Sequence, residues 1–470
     1  MAVLGSAERP LRVAIVGAGP AGFYAAEHLL RRTDVVVDVD VYDRLPTPYG
    51  LVRAGVAPDH QKIKAVTATF DKTASHPRFR FYGGVELGKH VSAGDLRGFY
   101  HQIVYTTGAQ TDRRMGIPGE DLIGSHPATE FVAWYNGHPD YRDYQFDLSQ
   151  ERVAVVGVGN VAVDVARILC RTPEELEKTD IAEHALEALR ASRVREVYLL
   201  GRRGAAQAAF TNPEVKEMGE LPDADLSVVP DEVALDPLSR EGLEKSGDRA
   251  GFKKVEILQE YARRAPEGRP RRLVLRFLVS PVTVTDNGAG AVGGLRMVRN
   301  RLVASATGTV QAQATDRFEE LAVGLVFRSV GYRGVPLPGV PFDDKWGVIL
   351  NQKGRVLDPD SKQPRPGEYT AGWIKRGPSG VIGTNKPDAL ETVTGMLEDL
   401  GAGRTLTPGE SDPAALDRFV RQRQPQVIGY ADWLKLNDLE LRRGQSRGRP
   451  RLKYTRVDEM LAALGNRSAG

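Results

Sequence analysis

Two short glycine phrases carry the first chemical signal in this chain. Gly17-Ala18-Gly19-Pro20-Ala21-Gly22 and Gly157-Val158-Gly159-Asn160-Val161-Ala162 both fit G-x-G-x-x-G/A. That spacing suits a pyrophosphate. The first glycine of each (Gly17, Gly157) allows a tight turn, and the second (Gly19, Gly159) lets backbone approach phosphate. The third position (Gly22, Ala162) lets helix and strand pack closely, while the helix start offers unpaired N–H groups to an anion. Asp43 follows the first phrase at about the twenty-residue distance from which a carboxylate accepts ribose hydroxyls. The second phrase leads instead to Gly201-Arg202-Arg203-Gly204, two guanidiniums suited to a ribose 2′-phosphate.

Elements must hold these phrases in place. Residues 11–16 read as a buried parallel strand, a helix runs on to about residue 30, and residues 35–42 form a second strand. The second unit repeats this with a strand at 153–156, a helix at 163–169 and a strand at 194–200, separated by a charged helical insertion at 174–190. A lone glycine phrase is weak evidence, but one set between strand and helix with the right residue downstream is strong. The acid and the arginine pair divide the labour: the first unit is expected to hold FAD and the second NADPH. Residues 103–105 form a strand ended by Thr106-Thr107-Gly108, and residues 325–330 end likewise at Gly331. These read as the crossings by which the chain leaves one domain and returns to it. The expected architecture is α/β, with two Rossmann-like domains: an FAD-binding domain of residues 1–108 and 331–470, and an inserted NADP-binding domain of residues 109–330. Residues 273–284 and 294–303 are expected as strands at the inserted domain's edge, and 368–400 as strand, glycine loop and helix.

Composition excludes alternatives. The chain has 470 residues and one cysteine, Cys170, so no intrachain disulfide, Cys-x-x-Cys pair or four-thiolate iron–sulfur cage can form. Redox chemistry must then use a bound organic cofactor. Its 64 basic and 61 acidic side chains leave +3, and no nucleic-acid-binding motif is present. The 50 glycines exceed the roughly 33 that an average usage of ~7% would supply, a surplus that asks for a backbone explanation. No apolar run is long enough for a membrane span. Only Arg9 is basic before the first strand, so no signal or transit segment is expected, and a bacterial cytoplasm suits the chain better than a processed mitochondrial matrix form.

Longer phrases add a family resemblance. Pro48-Tyr49-Gly50-Leu51-Val52-Arg53 with Gly55-Val56-Ala57-Pro58-Asp59-His60, and Gly372-Trp373-Ile374-Lys375-Arg376-Gly377-Pro378-Ser379-Gly380-Val381-Ile382-Gly383-Thr384-Asn385, join the two dinucleotide phrases and the arginine pair. Together they resemble the adrenodoxin reductase family of ferredoxin–NADP reductases, of glutathione-reductase-like fold, over nearly the whole chain. The resemblance implies flavin contacts at Ala21, Asp43, Leu51, Val85, Trp373, Gly380, Val381 and Ile382; Gly108, at the glycine end of its strand, is a further candidate cofactor-binding residue. It implies nicotinamide-nucleotide contacts at Asn160, Val161, Arg202, Arg203, Glu214 and Gly380. His60 and Glu217 match residues near the flavin that the family uses to tune hydride transfer, and Asp164, a further candidate catalytic residue, sits near them. Two departures are visible: Asp43 where the family often has Glu, and Ala205 where Pro is usual.

The implied reaction is NADPH:ferredoxin oxidoreduction, with hydride passing to flavin N5 and electrons leaving singly to an outside iron–sulfur protein that feeds acceptors such as cytochrome P450. Disulfide reductases of this fold need a cysteine pair, and glutamate synthase subunits need cluster cysteines; this chain has neither. Ferredoxins are acidic, so a basic docking face is expected on a monomeric enzyme. Arg249, Lys253 and Lys254, near Arg263, Arg264, Arg271 and Arg272, form one candidate. Arg442, Arg443, Arg447, Arg449, Arg451 and Lys453 form another. An NADPH-dependent reductase of quinones and a flavin-binding scaffold stay open as alternatives.

Overall fold

The computed structural model describes residues 2–306 and 308–465. The chain divides into two units, Met1–Thr111 with Tyr332–Gly470, and Asp112–Gly331. The first crossing lies beyond residue 108 because Gln110 still donates its N–H to Arg333 O at 3.1 Å.

In the first unit seven strands run in the order Asn351–Gln352, Arg355–Leu357, Pro364–Thr370, Gln102–Tyr105, Leu11–Val16, Val37–Asp43 and Phe79–Gly83. The last five are mutually parallel, in register from Leu11 opposite Val37 to Val16 opposite Tyr42. All six side chains of Leu11–Val16 are buried, as a central strand covered on both faces requires. Leu11, Val13 and Ile15 join the helix Pro20–Leu30 in one apolar cluster, and Ala14 and Val16 join a second one across the sheet. Neighbouring strands depart to opposite sides of Leu11–Val16, so its carboxyl end is a switch point where ligands of open α/β sheets bind.

The second unit repeats the plan. Six parallel strands follow the order Ser125–Pro127, Leu325–Arg328, Arg152–Val156, Glu196–Leu200, Arg271–Arg276 and Ala224–Val228. Val153 and Val155 face one core cluster, Ala154 and Val156 the other. The charged insertion forms two helices, Pro173–Glu177 and Glu183–Arg190. The expected strand at 273–284 is two strands in two sheets. Leu278 takes φ +56°, and this left-handed turn carries the chain out of Arg271–Arg276 into an antiparallel sheet of Val279–Asp286, Val292–Ala304 and Val310–Leu321. Arg271–Arg276 itself lies inside the parallel sheet, with Ala224–Val228 beyond it. Among the described residues no helix is long and apolar enough to cross a membrane.

Candidate functional site: two dinucleotide cradles

The two turns adopt matching geometry. Gly17 and Gly157 have φ of +113° and +134°, and an added Cβ would stand 2.7 Å from Thr106 O and 2.1 Å from Ser329 O respectively. Thr106 and Ser329 each follow the strand beside the switch point, and Thr106 Oγ1 donates back to Gly17 O at 2.8 Å. A Cβ on Gly22 would meet Gly17 O at 2.2 Å. By contrast, nothing lies within 4 Å of a Cβ built on Gly19 or Gly159. Those two residues cap the helices Pro20–Leu30 and Asn160–Cys170 without any side-chain cap, and neither helix has an acid in its first turn. Open backbone at an uncapped helix start is the donor set that a pyrophosphate satisfies. Both turns therefore fit a dinucleotide.

A downstream segment seats on each turn through the carbonyl between the two glycines. In the first unit Tyr49 N–H donates to Ala18 O at 2.8 Å. In the second, Ala209 and Phe210 N–H donate to Val158 O at 2.9 and 3.1 Å, and Asn160 Oδ1 accepts Thr211 N–H at 3.1 Å.

Asp43 closes the first cradle from the end of its strand. Its carboxylate accepts Ala18 N–H at 2.9 Å and Leu45 N–H at 3.0 Å. Burial raises its pKa against the pull of those bonds. The shorter acid thus braces the turn, and each oxygen keeps a lone pair for a ribose hydroxyl. Val85 is buried and donates its N–H to Asp43 O at 2.9 Å. Leu51 is exposed, and Gly108 has φ +74° with open space at its Cβ position. His60 is half-buried at the start of the short helix Gln61–Lys64, its N–H bonded to Ala57 O at 3.0 Å. Ala21 packs on Gly372, whose added Cβ would meet Ala21 Cβ at 2.5 Å.

The Gly377–Gly383 loop expected from sequence is laced by Arg376, which the sequence reading left without a role. Arg376 donates to Ser379 O at 2.5 Å and to Asn385 Oδ1 at 3.1 Å. Gly380 sits at φ +76°, Val381 is exposed and Ile382 opens a single 3-10 turn. Trp373 donates its indole N–H to Ser379 O at 3.1 Å, and Tyr332 stacks on its ring at 5.7 Å between centroids.

In the second unit Arg202 is exposed and Arg203 half-buried, and neither guanidinium pairs with an acid among the described residues. Burial first, then Arg202, lowers the pKa of Arg203. Two uncompensated cations at a strand's carboxyl end fit a phosphate. Glu214 is buried on the helix Asn212–Gly219, and its Oε2 lacks any hydrogen-bond partner, as expected of an acceptor awaiting a ligand donor. Val161 is half-buried in the first turn of its helix. Asp164 and Glu217 are joined through Arg167, a fully buried cation that lies 2.7 Å from Asp164 and 3.5 Å from Glu217. The sequence reading does not single out Arg167; the signal for it is a charged residue three positions after Asp164 on a largely apolar helix.

The basic clusters need correction as docking faces. Lys254 is half-buried, donates to Ala208 O at 2.5 Å and lies over the Phe210 ring, so it props the segment seated on Val158. Arg271 pairs with Asp223, Arg272 with Glu196 and Arg264 with Glu260. Arg249 and Lys253 remain exposed, Lys253 beside Glu256 at 3.0 Å. In the other cluster Arg449 and Lys453 are buried, Arg442 pairs with Asp438, and Arg451 reaches the buried Glu440 at 3.0 Å. Cys170 is buried, and burial pushes its thiol up to about 12, which makes it inert as a redox thiol.

Comparison with known proteins agrees with this construction. Residues 11–217 match the pyridine nucleotide-disulphide oxidoreductase family model. The NADPH-ferredoxin reductase FprA of Mycobacterium tuberculosis is 45% identical over 461 residues, covering 96% of this chain and 99% of that protein. The mitochondrial NADPH:adrenodoxin oxidoreductase of Arabidopsis thaliana is 41% identical over 471 residues, covering 98% and 97%. The solved structure of Mycobacterium tuberculosis FprA in complex with NADPH superimposes with a TM-score of 0.90 at 44% identity, covering 97% of this chain and all of that one. With two dinucleotide cradles, one cysteine and this degree of likeness along its length, the chain belongs to the oxidoreductase family of NADPH-ferredoxin and NADPH:adrenodoxin reductases.

Proposed function

We propose that this protein is an FAD-containing NADPH:ferredoxin oxidoreductase, with FAD held by the first unit and NADP(H) by the second. The observation that carries the reading is the contrast between two otherwise matching cradles: one ends in Asp43, the other in the acid-free pair Arg202 and Arg203. A carboxylate suits free ribose hydroxyls, whereas a guanidinium pair suits a 2′-phosphate. Held there, a flavin would supply the chemistry that links a two-electron hydride donor such as NADPH to one-electron transfer toward an iron–sulfur ferredoxin, which in turn would supply acceptors such as cytochrome P450.

The chain's own groups bind and orient. Gly19 and Gly159 admit the pyrophosphates, and Asn160 holds the segment that covers the second cradle. Glu214 offers an acceptor to the nicotinamide nucleotide, and Glu217, held by Arg167, supports the reacting end. His60, at the start of Gln61–Lys64, would serve as a positioning or proton-shuttling group beside the flavin. The exposed Arg249 and Lys253 contribute to steering an acidic ferredoxin toward a monomeric enzyme in a bacterial cytoplasm.

The test is anaerobic titration of the purified protein with NADPH, followed by cytochrome c reduction with and without ferredoxin across a salt series. Bleaching of the visible flavin band and ferredoxin-dependent turnover that weakens steeply with salt are expected. No bleaching, or salt-insensitive turnover with quinones and none with any ferredoxin, would overturn the proposal.

A further inference from the structure

Residues 428–454 lie far along the chain from either dinucleotide turn, and they are bonded to two of the loops that carry proposed flavin contacts of the first unit, those of Leu51 and Val85. Tyr49 has φ +84°, a left-handed conformation that tyrosine adopts only under constraint. Its turn is pressed onto the first cradle: a Cβ on Gly50 would stand 3.0 Å from Gly19 Cα. The Tyr49 phenol is held from three sides. It donates to Asp71, lies 2.9 Å from the Tyr430 hydroxyl and accepts Trp433 Nε1–H at 3.2 Å. Tyr430 donates to the same Asp71 oxygen at 2.5 Å.

Past Leu51 the same loop is gripped again. Arg53 forks onto Glu440 at 2.8 and 2.5 Å, and its guanidinium lies 5.1 Å from the Trp433 ring centroid. Glu440 has no solvent exposure and also accepts from Arg451 and from Tyr454 N–H at 2.9 Å. At the other loop, Gly83 and Ile428 exchange backbone hydrogen bonds of 2.9 and 3.0 Å, just before Val85.

We propose that residues 428–454 are a strap that sets the geometry of the flavin site, with Tyr430 and Glu440 as its positioning residues. The inference rests on the reading that the first unit binds flavin. Tyr430 shares the proton acceptor that fixes Tyr49, and Glu440 fixes Arg53, so together they hold Leu51 between two anchors. Both act through the loop, at a remove from the cofactor.

The test compares holoprotein of wild type, Tyr430→Phe and Glu440→Gln, with Leu434→Ala, an exposed position on the same helix, as control. Three quantities are read: flavin release on dilution, as free-flavin fluorescence; visible circular dichroism of the bound flavin; and the urea midpoint in excess FAD. Tyr430→Phe is expected to release flavin about fivefold to tenfold faster, as loss of one hydrogen bond implies, with an altered visible spectrum and KM for NADPH unchanged. Leu434→Ala is expected to match wild type throughout. Should Glu440→Gln fail to fold, Tyr430→Phe carries the test. Wild-type release and spectrum in Tyr430→Phe would overturn the strap, even with a lowered urea midpoint. Wild-type protein that takes up no flavin would overturn the flavin reading, and the strap with it.

Discussion

Arg167 Nη1 stands 3.5 Å from Glu217 Oε2; the guanidinium has no solvent exposure, and the carboxylate keeps 37% of its own. Asp164 occupies the other terminal nitrogen at 2.7 Å. A buried cation between two carboxylates is costly to disturb, because removing it leaves charge without a counter-ion. Arg167→Met is expected to lower unfolding free energy by ~3–5 kcal/mol and to reduce kcat. Arg167→Lys, which keeps the charge but loses the fork, should recover part of both. Denaturant melts and steady-state kinetics check this; wild-type kcat in a folded Arg167→Met would remove Glu217 positioning from the mechanism.

The arginine pair should read the 2′-phosphate alone. Arg202→Ala and Arg203→Ala are each expected to cut kcat/KM for NADPH by about 10- to 100-fold, the value of a charge-assisted bond, while kcat/KM for NADH stays within about twofold. Equal losses with both nucleotides would refute the assignment.

The glycines of one turn should separate by role. At Gly157 a Cβ would collide with Ser329 O at 2.1 Å and the backbone has φ +134°, so Gly157→Ala should destabilise the protein by at least ~2 kcal/mol. At Gly159 the Cβ enters open space, so Gly159→Ala should leave the urea midpoint near wild type. Its methyl would stand where the pyrophosphate is proposed to approach, and NADPH affinity should fall about 5- to 150-fold. Calorimetric titration alongside denaturant melts distinguishes the two outcomes.

Lys254 and Arg249 should part company as well. Lys254→Met removes the prop at Ala208 O and should raise KM for NADPH without altering the salt dependence of ferredoxin reduction. Arg249→Ala should do the reverse, slowing ferredoxin reduction at low salt only. A salt series on both variants decides it.

Acid stability has a direction set by His101, whose buried Nδ1 accepts Arg12 N–H at 3.1 Å. Burial, reinforced by Arg9 and Arg12, pushes its pKa from 6.5 down to about 4. The unfolded chain therefore takes up the proton first. The contribution of neutral His101 is complete above pH 6.5 and is lost as pH falls toward 4. His101→Gln, which accepts but does not titrate, should flatten the fall of the thermal midpoint across that window.

Local pattern determined much of this protein. The alternation of Leu11, Val13 and Ile15 against Ala14 and Val16, the glycine turns and the acid or arginine at the next strand's end are contacts between near neighbours in sequence, and chain geometry alone dictates their spacing. The cofactor cradles were legible for that reason. What only the tertiary structure decided are the partners of charged and polar side chains: Tyr430 on Tyr49 and Glu440 on Arg53, which lie hundreds of residues apart, and, nearer in sequence, Lys254 under Ala208, Arg451 on Glu440 and Arg376 across its own loop. A run of basic residues reads the same whether it faces water or a buried carboxylate, because composition records charge and not desolvation. Of the C-terminal cluster, Arg451 turned in to Glu440 while Arg442 stayed exposed beside Asp438, since a buried acid must be paired, and it is Arg53, 387 residues away, that completes the burial of Glu440.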